Sequence, residues 1–185
     1  MRVFIAAELP EQMLEALAET SASLRGSVPG RYVGPDLFHV TLAFLGEVET
    51  YRVADVQVAL ETACEGHAAF ASSLAALGSF GRKSRATLWQ GFSDSGEFAA
   101  LAHDVRAALS GEGFVFDEKR FIPHVTLMRN ADLSAGVLPM PYVSDGVVDT
   151  VTLFRSDLSG KRPVYEPLHQ VKLADARCGG EPTFA

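Results

Sequence analysis

Cysteine is scarce: two residues in a chain of 185, Cys64 inside a helical pattern and Cys178 in a Gly-rich tail. That excludes a disulfide framework and leaves two thiols expected to be free, as suits a reducing, cytoplasmic setting. Long apolar runs are lacking too. No stretch approaches the ~18 uninterrupted apolar residues of a membrane span, and the opening MRVFIAAELPEQ is broken by Glu8 and Pro10 before a signal-peptide core is complete, so we expect neither a membrane anchor nor export. Nor is there an excess of positive charge. A net charge of −7 and a pI near 5.2 exclude a protein that coats long nucleic acid by neutralising its phosphates. Local basic groups remain: Arg82, Lys83 and Arg85 in GRKSR, Lys119 and Arg120 in DEKRF, and Arg129. Each has an equally good reading as a solvated face. With no Ser/Pro/Gly-rich linker, residues 1–175 are expected to fold as a single domain of two interleaved lobes, with 176–185 as a flexible tail.

What is present is a regular alternation of patterns. RVFIAA at residues 2–7 reads as a strand, and Pro10 opens a helix carrying Met13, Leu14, Leu17 and Leu24 on one face until Gly26. PGRYVGPD reads as loop and FHVTLAFLG as a strand. Val53, Val56, Leu60 and Cys64 mark a second helix beginning near Thr50. FASSLAALGSF and ATLWQGF read as strands, and a third helix starts at Asp94 or Ser95 and carries Phe98, Leu101, Val105 and Leu109. FVF, IPHVTLMR, VVDTVTLFRSDL and VYEPLHQVKLA are strand-like. The sum is about eight strands and three helices, an α+β protein of two similar lobes.

Only five histidines occur, yet His-Val-Thr-Leu appears twice, at 39–42 and at 124–127. In an extended strand alternate side chains share a face. His39 and Thr41 therefore point one way while Val40 and Leu42 enter a core, and His124 and Thr126 repeat the arrangement over Val125 and Leu127. One such strand in each lobe brings two imidazoles and two hydroxyls to one cleft. Histidine titrates near neutrality, so one ring can accept a proton while the other donates one. Threonine hydroxyls can hold non-bridging phosphate oxygens. The chemistry that fits is opening of a phosphodiester, above all a 2′,3′-cyclic phosphate. A lone His-x-Thr is ordinarily a surface or satisfied core feature, but the twin copies overturn that reading. A zinc site would want three or four ligands, commonly with cysteine or carboxylate company, and we expect no metal or other cofactor. His67, His103 and His169 lie outside any repeated context.

At these residues the chain resembles the two-histidine phosphoesterase superfamily, and within it the RNA 2′,3′-cyclic phosphodiesterases, also called 2′-5′ RNA ligases. RVFIAAELP, PDLFHVTLAFLGEV, LGSFG with ATLWQGF, GFVFDEKRFIPHVTLMR and VTLFRSDLSGKRPVYEPL are similar to the family's blocks in its order. The resemblance implies two antiparallel sheets facing across a V-shaped cleft with pseudo-two-fold symmetry, His39 as proton donor and His124 as proton acceptor, and RNA ends or short oligonucleotides as substrate. Water would open the cyclic phosphate to a 2′-phosphate, and a 5′-hydroxyl RNA end in place of water would form a 2′-5′ linkage. A monomer with no obligate protein partner is expected. Arg129 is the best further phosphate contact, against a strand-end salt bridge. Phe121 is a base-stacking candidate against core packing, and Trp89 reads first as core. Two departures from the family are Ala43, where a basic residue is common, and Tyr32, near which Trp is common. The rival readings are a phosphodiesterase for a small nucleotide, such as a cyclic ADP-ribose phosphate or 2′-5′ oligoadenylate, and a non-catalytic RNA-binding module.

Overall fold

Val3 to Ala7 are all buried, which is what a strand needs if it is to have neighbours on both edges and packing on both faces. In the computed structural model, which describes residues 1–160 and 162–175, that strand is β1 (Arg2–Ala7). The chain continues through α1 (Glu11–Leu24), β2 (Arg31–Tyr32), β3 (Val40–Glu47), α2 (Val53–Cys64), β4 (Phe70–Arg82), β5 (Arg85–Phe92), α3 (Gly96–Gly111), β6 (His124–Ala131), β7 (Asp145–Val148), β8 (Thr150–Asp157) and β9 (Val164–Lys172). One sheet has the order β3-β1-β8-β9 and the other β2-β6-β5-β4-β7, with every pairing between named strands antiparallel. The α+β class and the two facing sheets are therefore as read from the sequence.

The helices seal the faces away from the cleft. Met13, Leu17 and Leu24 of α1 are fully buried, and α1 lies against β7 of the second sheet. There Gly146 is required, since a Cβ would stand 2.4 Å from the Pro10 ring. α2 and α3 pack on each other, and α3 also contacts β3. Phe98 of α3 meets Phe70 edge to face at 5.0 Å and Phe92 at 4.6 Å. Cys64 is buried and free, and burial pushes its thiol up to about 11. No helix among the described residues is long and apolar enough to cross a membrane. The tail at 176–185, with Cys178, lies outside the described residues.

Three expectations are corrected. FVF at 114–116 forms no strand; Phe114 is instead driven into the core, with the Arg52 guanidinium 4.1 Å from its ring centroid. Arg31 and Tyr32, read as loop, form the short edge strand β2, paired with Arg129 and Met128. VVDTVTLFRSDL is two strands in different sheets: β7 pairs with β4, β8 with β1 and β9, and the chain changes sheets at Asp149. The Asp149 carboxylate accepts from the Thr150 hydroxyl at 2.6 Å and from Lys172 Nζ at 3.0 Å. Both interactions hold its pKa below the usual carboxylate range.

The two repeat-bearing strands share a defect that alternation conceals. Opposite β1, Ala6 pairs with Thr41 but Ile5 pairs with Ala43, so Leu42 is an extra residue on β3. Opposite β5, Trp89 pairs with Thr126 but Leu88 with Met128, so Leu127 is the extra residue on β6. An extra residue bends the strand and re-aims the side chains beyond it. Leu42 and Ala43 are both buried and Phe44 emerges; Leu127 and Met128 are both buried and Arg129 emerges. Each strand then reaches a left-handed residue, Gly46 (φ 70°) or Asn130 (φ 53°). This twin bulge is the clearest sign of pseudo-two-fold symmetry in the backbone. Leu127 is fully buried, so Leu127→Ala is expected to cost about 2–5 kcal/mol of stability by transfer and cavity terms, read as a lower urea midpoint with an unchanged slope.

Candidate active site

His39 stands just before β3 and His124 begins β6. His39 Nδ1 lies 2.8 Å from the Leu37 carbonyl and His124 Nδ1 lies 2.6 Å from the Ile122 carbonyl, in each case two residues earlier. A carbonyl only accepts, so both Nδ1 atoms carry the proton and both Nε2 atoms are the reactive ones in the neutral rings. His39 Nε2 lies 3.0 Å from Thr41 Oγ1, and the Thr41 hydroxyl donates to it.

Each ring is walled by aromatics of its own sheet. His39 packs against Phe4 at 4.9 Å and edge-on to Tyr165 at 5.4 Å, with Phe154 at 6.4 Å. His124 meets Phe80 edge to face at 5.0 Å and Trp89 at 5.7 Å. Trp89, read as core, is half-buried and braces His124 instead. Its indole occupies the space above Gly78, where a Cβ would be 2.2 Å from the ring, so the glycine is there for close approach. Phe4, Phe80 and Tyr165 went unnoticed in the sequence. Their only signal is strand parity with other cleft residues, and the bulges scramble it.

A cavity of about 360 Å³ is lined by His39, Thr41, His124, Thr126 and Arg129 together with Tyr32 and Tyr165. The two copies of the motif thus converge on one volume. A second cavity of about 620 Å³ shares Thr41, His124, Thr126 and Arg129 and continues past Phe80, Lys119, Arg120 and Phe121. Arg129 is exposed and has no ion-pair partner among the described residues, so the strand-end salt bridge is not formed there. Phe121 is half-buried against the core, 5.4 Å below the Arg106 guanidinium. Ala43, turned inward by the bulge, is core, and Phe44 takes the cleft side. Tyr32 lines the first cavity, its hydroxyl donating to the Val28 carbonyl at 2.9 Å with Arg25 over the ring.

Burial lowers the His39 pKa to about 4, with the Leu37 carbonyl opposing and the charges of Arg129 and His124 adding to the fall. His124 is lowered in the same way, by burial first and then by Arg129, against the Ile122 carbonyl. Both rings are neutral at pH 7, and an anion entering between them would restore affinity for a proton. The other histidines lie elsewhere: His67 Nε2 is 2.8 Å from Asp104 and His169 Nε2 is 2.8 Å from Glu61, while His103 is exposed. GRKSR forms the tip between β4 and β5, away from both cavities, and Arg85 donates to Asn130 there at 3.0 Å. Among the described residues no three His, Cys, Asp or Glu side chains gather to hold a metal ion.

A sequence model of the 2′-5′ RNA ligase superfamily matches residues 14–136. The chain is 31% identical to the RNA 2′,3′-cyclic phosphodiesterase of Geobacillus stearothermophilus, over 95% of this chain but only 58% of that protein's length. It is 31% identical to the enzyme of the same name from Thermus thermophilus, covering 94% of this chain and 90% of that one. Among solved structures, Escherichia coli LigT complexed with 3′-AMP superposes with a TM-score of 0.80 at 28% identity, over 93% of this chain and 97% of that one.

Burying two neutral imidazoles has a thermodynamic signature. A histidine whose folded pKa lies below its unfolded value lets the unfolded state take up protons first, so stability falls with pH from about 6.5 towards the folded pKa, with a slope of at most about 1.4 kcal/mol per pH unit for each ring. For His39 the window runs from 6.5 to about 4, above the range in which carboxylates such as Asp149 act. Unfolding free energy measured between pH 7 and pH 5 is expected to fall, and His39→Gln is expected to flatten the curve. An equally steep curve in the variant would show that His39 is not buried in its neutral form.

Proposed function

The chain belongs to the 2′-5′ RNA ligase superfamily, and from that premise we propose that it opens RNA 2′,3′-cyclic phosphate ends to 2′-phosphates by general acid–base catalysis without a metal ion. The observation that carries this reading is the twin pinning of His39 and His124, each with Nδ1 on a backbone carbonyl and each lining one cavity beside a threonine. The names of the Geobacillus and Thermus relatives support the substrate, and the first cavity lies within the ~300–1,000 Å³ typical of small-ligand sites.

His124 Nε2 takes a proton from water as the oxygen attacks phosphorus. His39, having acquired its proton with the bound anion, gives it from Nε2 to the departing 3′ oxygen. The roles of the two rings follow the family resemblance, and the weak hold of His39 on its proton suits a donor. Thr41 and Thr126 donate to non-bridging oxygens, and Arg129 neutralises the charge that builds on them. Phe121 serves as cavity wall. A 5′-hydroxyl RNA end in place of water yields the 2′-5′ linkage by the same transfers. We place this activity in a monomer in the cytoplasm.

His39→Ala and His124→Ala are each expected to lose ~10²–10⁴-fold in kcat on an oligoribonucleotide ending in a 2′,3′-cyclic phosphate while still binding it. A wild type that binds RNA but yields no 2′-phosphate would leave only a binding module, and faster turnover of a small nucleotide would redirect the substrate. EDTA is expected to leave the rate unchanged; loss restored by added metal contradicts the mechanism. The donor must be protonated and the acceptor neutral, and both free-protein values lie below 6.5. The pH profile of kcat/KM should therefore be a bell centred on the acid side of 6.5, falling as pH rises through neutrality.

A further inference from the structure

The pairing of the edge strand β2 with β6 places Arg31 directly opposite Arg129. Residues opposed in an antiparallel pair stand about 4.5–5.5 Å apart at Cα and share a face, so two side chains of equal length leave the sheet side by side. Both line the smaller cavity with His39 and His124. Backbone hydrogen bonds anchor the pairing on either side: Val33 N–H donates to the Leu127 carbonyl at 2.9 Å and Asp132 N–H to the Pro29 carbonyl at 2.8 Å.

Like charges directly opposed destabilise a sheet, and no described carboxylate offsets this pair. Arg31 and Arg129 are both exposed, and neither has an ion-pair partner among the described residues. The described residues that line the cavity include no Asp or Glu, and its third cation, Arg162, is already bound to Asp36 at 3.1 Å. Two uncompensated guanidiniums beside two neutral imidazoles suit an anion of more than one charge. The cyclic diester carries one. When water attacks and His124 takes its proton, the phosphoryl group carries two, and the phosphomonoester that follows carries about 1.5 to 2 near neutrality. A cation that meets charge as it builds stabilises the transition state more than the substrate.

We propose that Arg31 is the second guanidinium of the phosphate site and that, with Arg129, it clamps a doubly charged phosphoryl group. The protein then holds the transition state and the 2′-phosphate product more tightly than the cyclic diester, and product inhibits it. The inference rests on this cavity as the phosphate site and deepens the proposed reaction.

Arg31→Met keeps much of the side-chain stem and removes the charge, and Arg31→Lys restores a cation without the planar fork. Binding of adenosine 2′-monophosphate, measured by calorimetry, requires no turnover; kcat and KM are read on adenosine 2′,3′-cyclic phosphate. Arg31→Met is expected to weaken monophosphate binding and to lower kcat, each by about tenfold or more, with KM within about threefold. Arg31→Lys should recover part of both. The urea midpoint of Arg31→Met should hold or rise, because an opposed charge has gone, whereas loss of a merely structural residue would lower it. An oligoribonucleotide ending in a cyclic phosphate should lose rate by the same factor as the mononucleotide. Unchanged affinity for the monophosphate would overturn the proposal. So would a loss confined to the oligoribonucleotide, which would put Arg31 on a phosphate further along the strand, or losses that accompany a lowered urea midpoint. A wild type that binds no monophosphate overturns the clamp. A wild type that binds it through Arg31 but hydrolyses no cyclic phosphate upholds the clamp and overturns the proposed reaction instead.

Discussion

The hydrogen bond from each imidazole Nδ1 to the carbonyl two residues before it is the constraint on which the site rests. Because the partner belongs to the histidine's own strand entry, the ring is oriented by local backbone and needs no carboxylate. A carboxylate in its place would hold the ring's proton more firmly and put negative charge beside a substrate that is itself an anion. The backbone carbonyl fixes the tautomer with a dipole alone. Both Nε2 atoms are thereby left to work in one cavity, one of them already in contact with Thr41.

The surroundings push in the opposite direction from that carbonyl. Phe4, Phe154 and Tyr165 around His39, with Phe80 and Trp89 around His124, displace water from the rings and disfavour the imidazolium, as does the charge of Arg129. A site so arranged is neutral in its rings and positive at its rim, awaiting an anion. A net charge of −7 does not exclude an anionic ligand here: among the described residues that line the two cavities the only carboxylate is Asp117, which pairs with Lys119, and Arg129 stands unpaired.

The bulges after the two motifs explain why this cleft is furnished as it is. Without the extra residue, alternation from His124 and Thr126 would bring Met128 into the cleft and turn Arg129 inward, burying a charge at a cost of several kcal/mol. With it, two apolar residues enter the core in succession and the next side chain faces the cavity. On β3 the same device delivers Phe44. The lobes share a backbone plan and differ in what they present at that third position, a phenyl ring on one side and a guanidinium on the other.

The sequence by itself determined the elements that rest on local pattern. These are the three helices, whose apolar stripes and end signals leave little choice, the long strands, and the pairing of His39 with Thr41 and of His124 with Thr126, because period-two alternation holds over three residues whatever lies beyond. The repeat raised the expectation that the two polar faces meet, and the cavity lined by both motifs is where they do. Only the tertiary structure decided the rest. The β2 edge, the crossing between sheets at Asp149, the non-strand course of FVF, and the placing of Trp89, Phe80, Tyr165, Ala43 and Arg129 depend on strand pairing between residues far apart in the chain. A one-residue shift in that pairing exchanges the two faces of a strand, and nothing within a strand's own residues records which register its neighbour will impose.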